Sequence, residues 1–194
     1  MKHSSRLMRI LMAVLLLGLV AVAQDQAQII ITGNSKYRLA VPDFNASGVT
    51  PAIQNTFNQV LWNDLYQSAV VAMIGRSLYT APTPAVETDL NNPSVRSAWS
   101  SPPLSVQRLV FGSMQIISGG LVVSGYLYNV TLPPGQGRLL ARRYADPDTA
   151  EGARVIAHHL ADDIVAALGF GPGIASTQIA YISNTSGHTE VWTM

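Results

Sequence analysis

Cysteine is absent from the 194 residues, so disulfides, thiolate metal sites and a lipidated N-terminal cysteine are all excluded. Charge is scarce: Asp, Glu, Lys and Arg together make up 12% of the chain. Arg138, Arg142 and Arg143 are the only basic cluster, too small a patch for a nucleic-acid partner. Histidine is rarer still, limited to His3, His158, His159 and His188. H-E-x-x-H and G-x-S-x-G are both missing, which removes the sequence signatures of a zinc protease and an α/β hydrolase.

What the chain does have begins with a leader-like N-terminus. Lys2, Arg6 and Arg9 precede an almost wholly apolar block over residues 10–20, and Ala21, Val22 and Ala23 supply small residues for a signal peptidase. The block is about a dozen residues, short of the roughly 20 that a helix needs to span a bilayer. Residues 1–23 therefore read as a cleaved signal peptide, with Ala23 and Gln24 flanking the cut; an uncleaved N-terminal anchor is the alternative. Removing three of the twelve basic residues leaves nine against eleven acidic ones, a formal charge of −2 in place of +1. An exported chain without disulfides, held by its apolar core, suits a Gram-negative periplasm. No integral membrane segment is expected after processing.

The remaining residues, about 170, are enough for one ordinary core. "YRLAVPDF" at 37–44 reads as a strand ending at Pro42 and Asp43, and "NASGVTP" reads as a turn. Thr50 and Pro51 form a helix start, and Ile53, Phe57, Val60, Leu61 and Leu65 recur on one helical stripe to about residue 66. "AVVAMI" at 69–74 reads as a short buried strand. Residues 79–103 form a long connection rich in Pro, Thr, Asn and Ser, with one helical turn around 95–99. Three strands follow, "RLVFGSMQII", "GLVVSGYLYNV" and "GRLLARRY", separated by Gly-rich hairpin turns. Residues 148–170 read as a second long helix, capped by Asp148 with Glu151 as reciprocal partner and stopped by Gly169. The stripe is Ala153, Ile156, Leu160, Ile164 and Leu168. This order predicts an α/β (α+β) fold: a two-layer domain of mixed sheet with two main helices on one face. A linker and an antiparallel hairpin over 178–183 and 189–194 close the chain, and a lone hairpin is marginal in water.

Few residues suggest chemistry. His158 and Asp162 share a helix face at i, i+4, with His159 and Asp163 beside them, and could hold a cation. A solvated helix face opposite the apolar stripe is the stronger reading, and no third ligand is evident. "GFGPG" imitates a phosphate loop but follows a helix C-terminus, where amides do not point at an anion, so it reads as a linker. Glu87 with Asp89, and Asp146 with Asp148, read as solvated loop charge. Catalytic and metal residues are therefore expected to be none, with no cofactor.

"YRLAVPDF", the helix opened by Thr50 and Pro51, "LVFGSMQ", "YLYNV", "ARVIAHHLADDIVAALGF" and above all "GIASTQIAYIS" with its following Ser-Gly turn resemble the TolB family of the Tol–Pal system. The resemblance runs from about residue 28 to the end. It implies a mobile N-terminal segment at 24–36, the family's N-terminal α/β domain at 37–170, and a linker with the first strands of a truncated β-propeller at 171–194. It also implies a non-enzymatic periplasmic interaction protein supporting outer-membrane integrity, cell division and protein transport. In that family the extreme mature N-terminus adds as a strand to the C-terminal domain of TolA. Carried to this sequence, that role falls on Gln28, Ile29, Ile30, Ile31 and Thr32, whose strand propensity and alternating side chains suit β-augmentation. A permanent edge strand in its own sheet is the alternative reading of the same segment. The propeller that carries Pal and colicin contacts in the family is otherwise missing here, so Pal binding is not expected. An exported domain binding a glycan or peptide through its sheet face or the 79–103 loop is the alternative reading.

Overall fold

The computed structural model describes residues 36–178, 180–185, 187–188 and 190–193. The expected signal peptide, its expected processing site at Ala23 and Gln24, and the Gln28, Ile29, Ile30, Ile31, Thr32 segment lie outside the described residues. Among the described helices none is long and apolar enough to cross a membrane.

The expected α/β fold is present. Strand β1 (Arg38–Ala40) is followed by β2 (Asn45–Ser47), helix α1 (Pro51–Gln67), β3 (Ala72–Met73), helix α2 (Pro93–Ser100), the strands β4 (Arg108–Ile117), β5 (Gly120–Asn129) and β6 (Arg138–Pro147), helix α3 (Ala150–Ala167), and a hairpin of β7 (Ala180–Ser183) and β8 (Glu190–Thr193). The main sheet runs β3-β1-β4-β5-β6, with β2 also pairing β4. β1 is parallel to β3 and β4, while β4, β5 and β6 form an antiparallel meander. Ser118 (φ 52°) and Gly119 (φ 78°) make the two-residue turn between β4 and β5. Left-handed φ at both positions matches the right-handed twist of the flanking strands.

α1 begins where the sequence predicts. The Thr50 hydroxyl accepts from the Ile53 amide and Pro51 occupies the first turn. Ile53, Phe57, Leu61 and Leu65 are buried and pack with Ile156, Leu160 and Ile164 of α3 over Val110, Met114, Val123 and Leu127 of the sheet. Close approach depends on two facing glycines, Gly112 and Gly125. A Cβ at Gly112 would collide with the Phe44 ring and the Ser124 carbonyl, and one at Gly125 would lie 2.9 Å from Leu160 Cδ2.

Four local expectations change. "NASGVTP" contains strand β2, because β1 leaves the ladder at Pro42, which has no amide to donate, and the chain rejoins β4 further along at Asn45↔Ser113. The detour is held by α1: Asn58 Oδ1 accepts the Phe44 amide at 3.0 Å and Gln54 Nε2 donates to the Phe44 carbonyl at 2.9 Å. α3 is capped by Thr149, not Asp148; Thr149 is the extended residue whose hydroxyl accepts from Gly152 N at 3.0 Å. Glu151 accordingly does not close a capping box but pairs with Arg154 on the surface at 3.5 Å.

The connection at 79–103 is the fourth. It holds a 3₁₀ turn (Glu87–Asn91) as well as α2, and it covers the sheet face opposite the two long helices. Leu90, Trp99, Leu104 and Val106 pack there on Leu109, Phe111, Tyr128 and Val130. Trp99 is fully buried, its indole N–H donating to the Pro82 carbonyl at 3.0 Å. A stretch that reads as a loop by composition is thus a second core.

Candidate interaction site

The best-defined polar cluster lies where α1, α3 and the linker meet. Asp64 is the sole charged residue of α1, one position before the core residue Leu65. Its Oδ2 lies 2.7 Å from His158 Nδ1, so the pair bridges the two helices and both side chains are largely shielded. Burial raises the Asp64 carboxyl above its ordinary range; the His158 contact opposes that rise and the nearby Asp162 charge adds to it.

Asp162 does not join His158 around a cation. Its Oδ1 accepts the Ala175 amide at 2.7 Å, and its Oδ2 accepts the Ser176 amide at 2.9 Å and the Ser176 hydroxyl at 2.5 Å. One carboxylate therefore brackets the "GIAS" turn onto α3. Asp163 faces the sheet instead, accepting from the Tyr144 hydroxyl at 2.7 Å with Arg142 at 3.6 Å. Burial and the neighbouring carboxylate push the Tyr144 phenol well above its usual value. Within "HHLADD", His158, Asp162 and Asp163 thus turn away from one another, to α1, the linker and β6. Among the described residues no group of three His, Cys, Asp or Glu gathers to hold a metal ion.

Beside this cluster is a cleft of about 340 Å³, floored by Val70, Ala161, Val165 and Phe170 and rimmed by Asp64 and Asp162. "GFGPG" runs along it as a linker, with Gly169 (φ 88°) and Gly171 (φ 86°) in the left-handed conformation that only glycine adopts freely. The Asp64–His158 pair ties α1 to α3.

Glu87 also departs from its reading as solvated loop charge. It accepts from the Tyr128 hydroxyl and pairs with Arg138 at 3.3 Å, tying the 79–103 connection to β5 and β6. Sequence reading missed Asp64, Asn58, Tyr144 and Tyr128. For Asp64 a signal exists: a lone charge on the flank of an apolar helical stripe needs a partner.

Fold and site together define an α/β module whose last helix clamps a linker leading into a second, two-stranded sheet. The chain is TolB-like. It is 29% identical over 200 residues to the Tol-Pal system protein TolB of Syntrophotalea carbinolica, a match covering 97% of this chain and 42% of that relative. The crystal structure of TolB from Acinetobacter baumannii shares the fold, at a TM-score of 0.54 and 22% identity, covering 77% of this chain and 32% of that one. No family model matches the chain. The chain therefore spans well under half the length of the relatives it resembles.

Proposed function

We propose that this chain is a non-enzymatic, periplasmic interaction module of a Tol–Pal-type envelope system. Its N-terminal segment, Gln28, Ile29, Ile30, Ile31 and Thr32, adds as a β-strand to the C-terminal domain of TolA. Main-chain hydrogen bonds supply the affinity, and Ile29 and Ile31 fill alternate pockets. In this role it supports outer-membrane integrity, cell division and protein transport. The observation that carries the reading is the similarity to TolB across 97% of the chain. No Pal contact is assigned to these residues.

The test is deletion of residues 24–32 followed by retention on an immobilised TolA C-terminal domain. Retention is expected to vanish while the far-ultraviolet circular dichroism stays that of the intact domain. Equal retention by the deleted protein would overturn the assignment.

A further inference from the structure

The outward face of α1, opposite its core stripe, carries Gln59, Trp62, Asn63 and Tyr66 at i, i+3, i+4 and i+7. Tyr66 stacks on Trp62 with ring centroids 5.2 Å apart and planes within 10° of parallel, yet it is 61% exposed. A solvated tyrosine held flat on another ring is a plate, not a core residue. Between Gln59, Trp62 and Asn63 of this stripe and Gly75 and Arg76 runs an open groove of about 320 Å³, with Tyr66, stacked on Trp62, beside it rather than in its lining.

The groove wall is fixed before anything binds. Arg76 donates to the Asn58 carbonyl at 2.6 Å, pairs with Asp43 at 3.3 Å and lies 5.6 Å from the Trp62 ring centre. Its Nε nonetheless has no hydrogen-bond partner. The Trp62 indole N–H approaches the Tyr79 hydroxyl without forming a hydrogen bond of ordinary geometry. Among the described residues, the Gln59 and Asn63 carboxamides also make no hydrogen bond within the chain.

We propose that this shelf binds an uncharged pyranose chain. The flat Tyr66 ring offers a surface for the C–H face of a sugar. The two carboxamides offer donors and acceptors for hydroxyl or acetamido groups one and two turns back along the helix. Charge decides against the rivals. The one cation in the groove is already neutralised by Asp43, so phosphate or nucleic acid gains little. The apolar face of a partner helix, its backbone groups already paired internally, would cover the carboxamides without satisfying them. From Gln59 to Tyr66 is about 10 Å at 1.5 Å per residue, roughly two hexose units. The preset aromatic stack and pinned guanidinium reduce the ordering cost of binding. This inference stands apart from the TolA reading, which uses a different part of the chain.

Chitotriose, cellotriose and maltotriose are the probes, titrated into the full chain carrying Trp192→Phe, so that Trp62 reports over the buried Trp99. The expected result is a saturable fluorescence change with at least one trisaccharide, with Kd on the millimolar scale. Tyr66→Ala, at an exposed position that leaves the fold intact by circular dichroism, weakens it on the order of tenfold, and Asn63→Ala weakens it less. No saturable change with any probe up to about 10 mM would overturn the proposal. So would unaltered binding in Tyr66→Ala, or a Tyr66-dependent protein contact without sugar binding.

Discussion

The sheet domain and the terminal hairpin use the same kinds of residue in opposite ways. In the domain, Trp99, Phe111, Leu127 and Ile164 are sealed on two faces of one sheet. In the hairpin, Ile182 and Val191 stand opposite each other and are 72% and 73% exposed, and Trp192 is 47% exposed. Isolated apolar side chains at a surface are ordinary, but three within eight strand residues are not. The domain has the burial of a self-sufficient fold. The hairpin has the composition of a buried sheet and the exposure of an edge, so its strand character comes from pairing alone.

That contrast is sharpest under truncation of its two tryptophans. Trp99→Ala empties the second core and is expected to cost about 3–5 kcal/mol, read as a lower urea midpoint with unchanged slope. Trp192→Ala is expected to stay within about 0.5 kcal/mol, and a large loss there would show that the hairpin is packed after all. A bracket effect comes next. Asp162→Ala removes three acceptor contacts from residues 175 and 176 and is expected to cost about 1–2 kcal/mol. Its marker is faster amide exchange at 175 and 176 than in α3; uniform protection across both would contradict the bracket.

Thr149→Ala is smaller, about 1 kcal/mol from loss of the α3 cap, whereas Asp148→Ala should be near neutral. The pH dependence is the finest measure. Because the Asp64 carboxyl is raised above 3.8 in the folded chain, the unfolded chain releases that proton first. In the window just above 3.8 the native state holds more protons, so this group's contribution to stability falls as pH rises. Asp64→Asn keeps an acceptor for His158 and is expected to flatten that part of the profile. An unchanged slope would mean that Asp64 is not perturbed as its burial implies.

Much of the domain was legible in the residues because local and global signals agree there. Thr50-Pro51 caps α1, Ser118-Gly119 turns the hairpin, and the two apolar stripes face each other across the core. Apart from the α3 cap, which is a local shift of one residue, the misses share one cause: partners distant in sequence. Pro42 ends β1 as expected, but only the chain's return to β4 makes Asn45 a strand residue. Composition marks 79–103 as a loop, and only the uncovered second face of the sheet turns Leu90 and Trp99 into core. His158 and Asp162 look like neighbours on a solvated helix until Asp64 comes from 94 residues away and Ser176 from fourteen. The Trp62–Tyr66 stack was visible as an i, i+4 spacing, yet without the groove beside Arg76 it carries no direction.

The three-point grip of Asp162 also has a mechanical meaning. Tension applied beyond residue 176 reaches the middle of α3 through that carboxylate before it can peel the helix from its end at Ala167. A tug on the downstream chain is then passed to a helix packed against α1 and the sheet, bypassing residues 168–174.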